Sequence, residues 1–170
     1  MHKKYALMLL SAMGALAVDF SLPRQAMAAW QPYGNTNPIT STSSNNGWIW
    51  KCGPTKEVTS SILSQVCLVR TSDKRYLRGA VIVRNNRSSL FNSYANVKVA
   101  DSISTIRSSS CSSSGVGANS WSVCYGGDFF SWPYSAYADG STNGVPLSQT
   151  VYALIRHLQI GVAYSWDKGY

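Results

Sequence analysis

Apolar and polar residues alternate with a period of two along much of this chain. Trp48, Trp50 and Cys52 share one side of a short segment closed by Gly53-Pro54, which predicts a strand and then a turn. Residues 77–84 are apolar on both faces at their centre, Ala80-Val81-Ile82-Val83, and run into Asn85-Asn86; this predicts an interior strand followed by a turn. Across 94–107, Ala95, Val97, Val99 and Ile103 fall on one side and Asn96, Lys98 and Ser102 on the other, as in a half-buried strand with a wet face. Near the end, Tyr152, Leu154, Leu158, Ile160, Val162, Tyr164 and Trp166 lie on one face, interrupted by Arg156. A helix also claims Val151, Leu154, Ile155, Leu158 and Val162, but Gly161 and the length of the period-two register favour a long, bent strand.

The remaining segments are read from composition. Val58, Ile62, Val66 and Val69 have helical spacing, while Val58, Ile62, Val66 and Leu68 share a strand face; β-branched and Ser content favours strand. Residues 108–117 read as a Ser- and Gly-rich loop interrupted by Cys111, followed by a short strand over 121–125, an aromatic stretch to Tyr137 and a turn-rich loop over 139–144. About seven strands with turn signals at short intervals predict an all-β fold, an antiparallel β-sandwich of immunoglobulin-like or related type.

The first 28 residues change the compartment. His2, Lys3 and Lys4 give a positive start, 5–18 are uncharged and largely apolar, and Ala26-Met27-Ala28 offers a cleavage site, so 1–28 read as a signal peptide. The apolar run of about fourteen residues is short of the roughly twenty that span a bilayer as a helix, and no transmembrane helix is expected after its removal. The chain then divides into a Pro- and Asn-rich flexible arm, 29–47, and one sandwich domain, 48–170, secreted or periplasmic. In an oxidising compartment Cys52, Cys67, Cys111 and Cys124 read as two disulfides. Three pairings are open; the local one, Cys52 with Cys67 and Cys111 with Cys124, is preferred because each closes a short loop, the second stapling the Ser-rich segment. No Cys-x-x-Cys spacing suggests a redox-active pair.

Charge and aromatics supply the candidate chemistry. The full chain carries a formal net charge of +8; without residues 1–28, which hold Lys3, Lys4, Arg24 and Asp19, twelve basic and six acidic side chains remain, a balance of about +6. Arg70, Lys74, Arg75, Arg78, Arg84, Arg87, Lys98 and Arg107 cluster in one region against Asp73 and Asp101, enough for a cationic face that attracts an anionic polymer if the strands bring them together. Tyr125, Phe129, Phe130, Trp132, Tyr134 and Tyr137 are the rings a sugar-binding surface needs, with Phe129, Phe130 and Trp132 expected in the core and Tyr134 and Tyr137 exposed. Arg78, Arg84, Arg87, Lys98, Tyr134 and Tyr137 are therefore the candidate ligand contacts.

Catalytic signals are thin. His157 is the one histidine beyond residue 28 and a weak candidate base, with Glu57, Asp128 or Asp167 as partner. There is no Gly-x-Ser-x-Gly elbow, phosphate loop or zinc helix. Residues 139–144 imitate a calcium loop but place Thr150 where a bidentate Glu belongs, so no metal or cofactor is expected. The leading expectation is a non-enzymatic, exported protein that binds a glycan or anionic surface polymer through basic and aromatic loops, with no specific nucleic acid as partner. The alternatives are a small secreted hydrolase using His157, a secreted toxin or inhibitor, and a small outer-membrane barrel suggested by the aromatic alternation up to Tyr170.

Overall fold

The computed structural model describes residues 28–39, 48–73, 75–101, 104–130, 135–147 and 153–154. Within them lie twelve strands: β1 (Ala29–Gly34), β2 (Trp48–Cys52), β3 (Lys56–Thr59), β4 (Ile62–Thr71), β5 (Tyr76–Asn85), β6 (Phe91–Ala100), β7 (Thr105–Val116), β8 (Ser120–Tyr125), β9 (Phe129–Phe130), β10 (Ser135–Thr142), β11 (Val145–Pro146) and β12 (Ala153–Leu154). All pair antiparallel in two sheets. The first runs β1-β8-β5-β4-β2, with β3 also on β4 and β9 also on β5; the second runs β11-β10-β6-β7, with β12 also on β10. Among the described residues this is an all-β fold of two antiparallel sheets packed as a sandwich.

Two of the first sheet's lanes are broken strands. β2 and β3 pair with successive halves of β4, Cys52 opposite Cys67 and Lys56 opposite Ser64. The interruption falls at Gly53-Pro54-Thr55, where proline has no N–H to give the ladder. β8 and β9 follow each other along β5 in the same way, and the Gly126 amide keeps a 2.9 Å bond to the Gly79 carbonyl across the break.

Alternation sorts the side chains. Ile62, Val66 and Leu68 of β4, Leu77, Val81 and Val83 of β5, Ala95, Val97 and Val99 of β6, and Ala136 and Ala138 of β10 are buried together between the sheets. Each of the larger ones contributes roughly 1.5–3 kcal/mol by leaving water. Glycine sets how closely the layers approach: a methyl group on Gly79 would stand 2.5 Å from Val97 Cγ2, and one on Gly140 3.1 Å from Val81 Cγ2. β5 is apolar on both faces as its sequence predicts, with Ala80 and Ile82 buried on the other side of the sheet.

Both disulfides form as preferred, Cys52–Cys67 and Cys111–Cys124. The second joins β7 to β8 and so ties one sheet to the other through the core, the role played by the inter-sheet bridge of immunoglobulin domains. Asn85, fully buried, secures the same end of the sandwich. Its Nδ2 donates to the carbonyls of Ser89, Val116 and Gly117 at 2.8, 2.9 and 2.9 Å, and its Oδ1 accepts from the Arg87 amide at 2.9 Å. One side chain thereby fixes both chain crossings, β5 to β6 and β7 to β8.

Several expectations are corrected. Of the expected loop over 108–117, residues 108–116 are instead most of β7, a twelve-residue strand held by the β6 ladder and the Cys111 bridge. Asp139 to Thr142 belong to β10; the turn is only Asn143-Gly144, both at positive φ (49° and 78°), the two-residue hairpin geometry those residue types favour. The strand read across 94–107 reverses after Ala100, where Asp101 Oδ1 accepts from the Ser104 amide at 2.7 Å. The strand preference for 58–69 stands, but a turn with Ser61 at φ 62° divides it into β3 and β4. Ala29–Gly34, expected within a flexible arm, is β1, paired along β8. Of the predicted closing strand only Ala153–Leu154 is described, paired with β10.

Candidate binding face

The outer side of the first sheet is a second apolar layer. Cys67 and Val69 of β4, Ala80 and Ile82 of β5, and Val123 and Tyr125 of β8 are buried there, with Tyr33, Trp48, Trp50 and Trp121 packed on them. The register places these residues together, because Trp48 and Trp50 of β2 stand opposite Thr71 and Val69, and Val69 stands opposite Arg78. An outer sheet face is ordinarily polar, so this aromatic surface is the feature of the fold that calls for explanation.

Arg78 sits at its centre. Its guanidinium carbon is 4.0 Å from the ring centroids of both Trp48 and Tyr125, a cation–π sandwich, and its Nη1 lies 3.5 Å from Asp128 Oδ1. Trp50 tilts against Tyr125 at 5.7 Å, and the Tyr33 and Tyr125 hydroxyls share a 2.7 Å hydrogen bond. Burial, reinforced by that bond, holds the Tyr125 phenol well above its ordinary pKa. The Cys52–Cys67 bridge joins directly opposed residues of β2 and β4 and anchors the tryptophan edge.

Two features flank this centre. At one end Tyr76 and Phe130 form an exposed edge-to-face pair at 6.2 Å. At the other, the Arg84 guanidinium lies 5.1 Å over the Trp121 ring, its Nε donating to Asn86 Oδ1 at 2.6 Å and its Nη1 to the Asn119 carbonyl at 2.7 Å. Beside it is a shallow depression of about 90 Å³ lined by Thr55, Leu63, Gln65, Ile82, Arg84 and Trp121. Tyr76, Arg78 and Arg84 share one face of β5, so the surface extends roughly 26 Å at about 3.3 Å per residue.

The candidate contacts are thus divided. Arg78 and Arg84 share the aromatic face. Arg87, next to its Arg84 end, donates to the Ser60 carbonyl at 2.9 Å and lies over Phe91 at 5.2 Å. Lys98 and Tyr137 belong to the second sheet, where Lys98 Nζ meets Asp139 Oδ2 at 2.9 Å. Arg70 is buried in its strand at 5% exposure. Phe129 is buried as expected, but Phe130 is exposed because β9 pairs it with Tyr76 on the outer face. Tyr134, Trp132 and His157 lie outside the described residues.

Sequence reasoning did not place Trp48, Trp121 and Tyr33 in the site; the tryptophans' only signal was period-two parity, which becomes a location once the strand register is known, and Tyr33 fell in the segment read as a flexible arm. Among the described residues no group of three or more His, Cys, Asp or Glu side chains gathers as a metal site would require. Comparison with family models, with curated proteins and with solved structures finds no match for this chain.

Proposed function

We propose that this is an exported, non-enzymatic binding protein whose ligand, a glycan or other surface polymer, lies along the outer face of the first sheet. The observation that carries the reading is the aromatic strip itself: Trp48, Trp121 and the exposed Tyr76–Phe130 pair on one strand-built surface, interleaved with Arg78 and Arg84. Flat apolar rings take the apolar face of a sugar, and neighbouring polar groups take its hydroxyls. Two disulfides suit an oxidising compartment, and the basic, apolar start of the chain supplies the export reading.

Retention on a panel of neutral and acidic polysaccharides tests it. The double variant Tyr76→Ala/Phe130→Ala removes two exposed rings and leaves the fold's melting temperature within a few degrees; binding is expected to fall at least tenfold. A wild-type protein that no polysaccharide retains, or a double variant that binds undiminished, overturns the proposal.

A further inference from the structure

The two arginines of the aromatic face differ in their counter-charges. Arg78 is neutralised in place by Asp128 and sandwiched between two rings, with its side chain only 18% exposed. Arg84 is held by neutral groups: the Asn86 side-chain oxygen, the Asn119 carbonyl and the Trp121 ring. Among the described residues no carboxylate pairs with it. The same is true of Arg87, which is held by the Ser60 carbonyl, Thr59 Oγ1 and the Phe91 ring, and whose own carbonyl accepts from the Asn119 amide at 3.0 Å. Asn119 therefore ties both arginines to the turn between β7 and β8. A guanidinium fixed by neutral acceptors keeps its full charge and pays little entropy on meeting an anion, because its side chain is already ordered.

The depression beside Arg84 gives that charge a context. Leu63, Ile82 and Trp121 make apolar walls, while Thr55, Gln65 and Arg84 supply the polar groups, and Thr55 Oγ1 already hydrogen-bonds Gln65 Oε1 at 3.0 Å. At about 90 Å³ it is small and open, so it engages at most one ring of a polymer and not a length of chain. Apolar walls with a few convergent polar groups, one of them an uncompensated cation, match a pyranose that carries an acidic substituent.

We infer that this depression is an acidic-saccharide subsite, in which a sugar ring rests on Trp121 and Leu63 and its carboxylate or sulfate is taken by Arg84, with Arg87 adding long-range attraction. The inference rests on the proposed glycan-binding face and names the class of ligand for it. Arg84 acts here as the specificity-determining contact. The Tyr76–Phe130 end is neutral with respect to that choice.

Binding of a six-unit oligogalacturonate and of its fully methyl-esterified form, measured by calorimetry, tests it, since the two share a backbone and differ at each ring in a carboxylate or its neutral methyl ester. The wild-type protein is expected to bind the acid at least tenfold more tightly than the ester. Arg84→Gln is expected to bring that ratio near one without weakening the ester, and Arg84→Lys, which keeps the charge and loses the planar fork, to leave it intermediate. Thr55→Val, at an exposed position, provides a variant with little risk to folding and is expected to weaken both ligands a few-fold. Equal binding of acid and ester by the wild type, no binding of either, or an acid preference that survives in Arg84→Gln overturns the inference. The glycan-binding proposal itself falls separately, on the polysaccharide panel and the Tyr76→Ala/Phe130→Ala variant.

Discussion

The two outer faces of this sandwich are built by the same alternation and are chemically opposite. On the second sheet, Tyr94, Asn96 and Lys98 of β6 lie beside Ser108 and Ser110 of β7 and Asp139 and Ser141 of β10, with Asn96 Nδ2 donating to Ser141 Oγ at 3.3 Å and Lys98 meeting Asp139. That is the wet face expected of an antiparallel sheet. The first sheet instead presents Trp48, Trp50 and Trp121 over a buried apolar layer that includes Tyr125. A sandwich needs only one core between its sheets, so the additional apolar layer points to a surface kept for contact with something else.

The largest expected difference between the faces is in stability. Tyr125 is 6% exposed, stacks on Arg78, touches Trp50 and bonds Tyr33, so Tyr125→Ala is expected to cost about 3–4 kcal/mol in urea unfolding. Tyr94→Ala, at 43% exposure on the wet face, is expected to cost under about 0.5 kcal/mol. Similar losses for the two would erase the distinction between the faces. Tyr125 also gives an alkaline signature. Its folded pKa is raised above the ordinary value of 10.0, so its contribution is complete below about pH 10 and declines as pH rises, because the unfolded chain ionises first. Tyr125→Phe is expected to remove that component of the alkaline loss.

How much of this was legible beforehand depends on how far apart the causes lie. β5 announced itself because four consecutive apolar residues, Ala80 to Val83, record burial on both faces within one segment. β7 did not: Ser and Gly have low strand preference, and what makes 108–116 a strand is pairing with β6 and a bridge to Cys124, neither encoded locally. The site shows the same limit. Arg78 and Arg84 were identifiable by charge, but their separation from Lys98 follows from β5 and β6 belonging to different sheets. The cage around Arg78 needs β2, β4, β5 and β8 in register, a relation between residues 48 and 125 that no short pattern carries.

The second comparison is between the disulfides. Each closes a short loop, with sequence separations of 15 and 13, so each is expected to contribute roughly 3 kcal/mol in the chain-entropy model. Their places differ. Cys111–Cys124 spans the core between the sheets, whereas Cys52–Cys67 fastens the edge strand that carries Trp48 and Trp50. Cys52→Ala/Cys67→Ala is therefore expected to lower polysaccharide binding several-fold at a temperature where the protein is still folded. Cys111→Ala/Cys124→Ala is expected to lower stability with little change in binding by the folded fraction. Paired urea melts and binding curves separate the two, and equal loss of binding in both would detach the tryptophan edge from the ligand.

The smallest expected effect is the most useful negative. Lys98 and Asp139 form the clearest ion pair of the wet face at 2.9 Å, with side chains 40% and 38% exposed. The hydrogen bond and charge of Asp139 raise the Lys98 pKa above its usual 10.5, so the pair's stabilisation is present below that pH and is lost as pH climbs through the raised value. Solvent screening keeps it small, and Lys98→Ala is expected to cost no more than about 0.5 kcal/mol. It should also leave binding of an acidic oligosaccharide unchanged, whereas Arg84→Gln removes the preference for the acid. Both substitutions take one positive charge from a basic protein, so a ligand drawn only by net charge would weaken alike in each. An unequal response locates recognition on the face where arginine and tryptophan meet, and an equal one reduces that face to a packing feature of the fold.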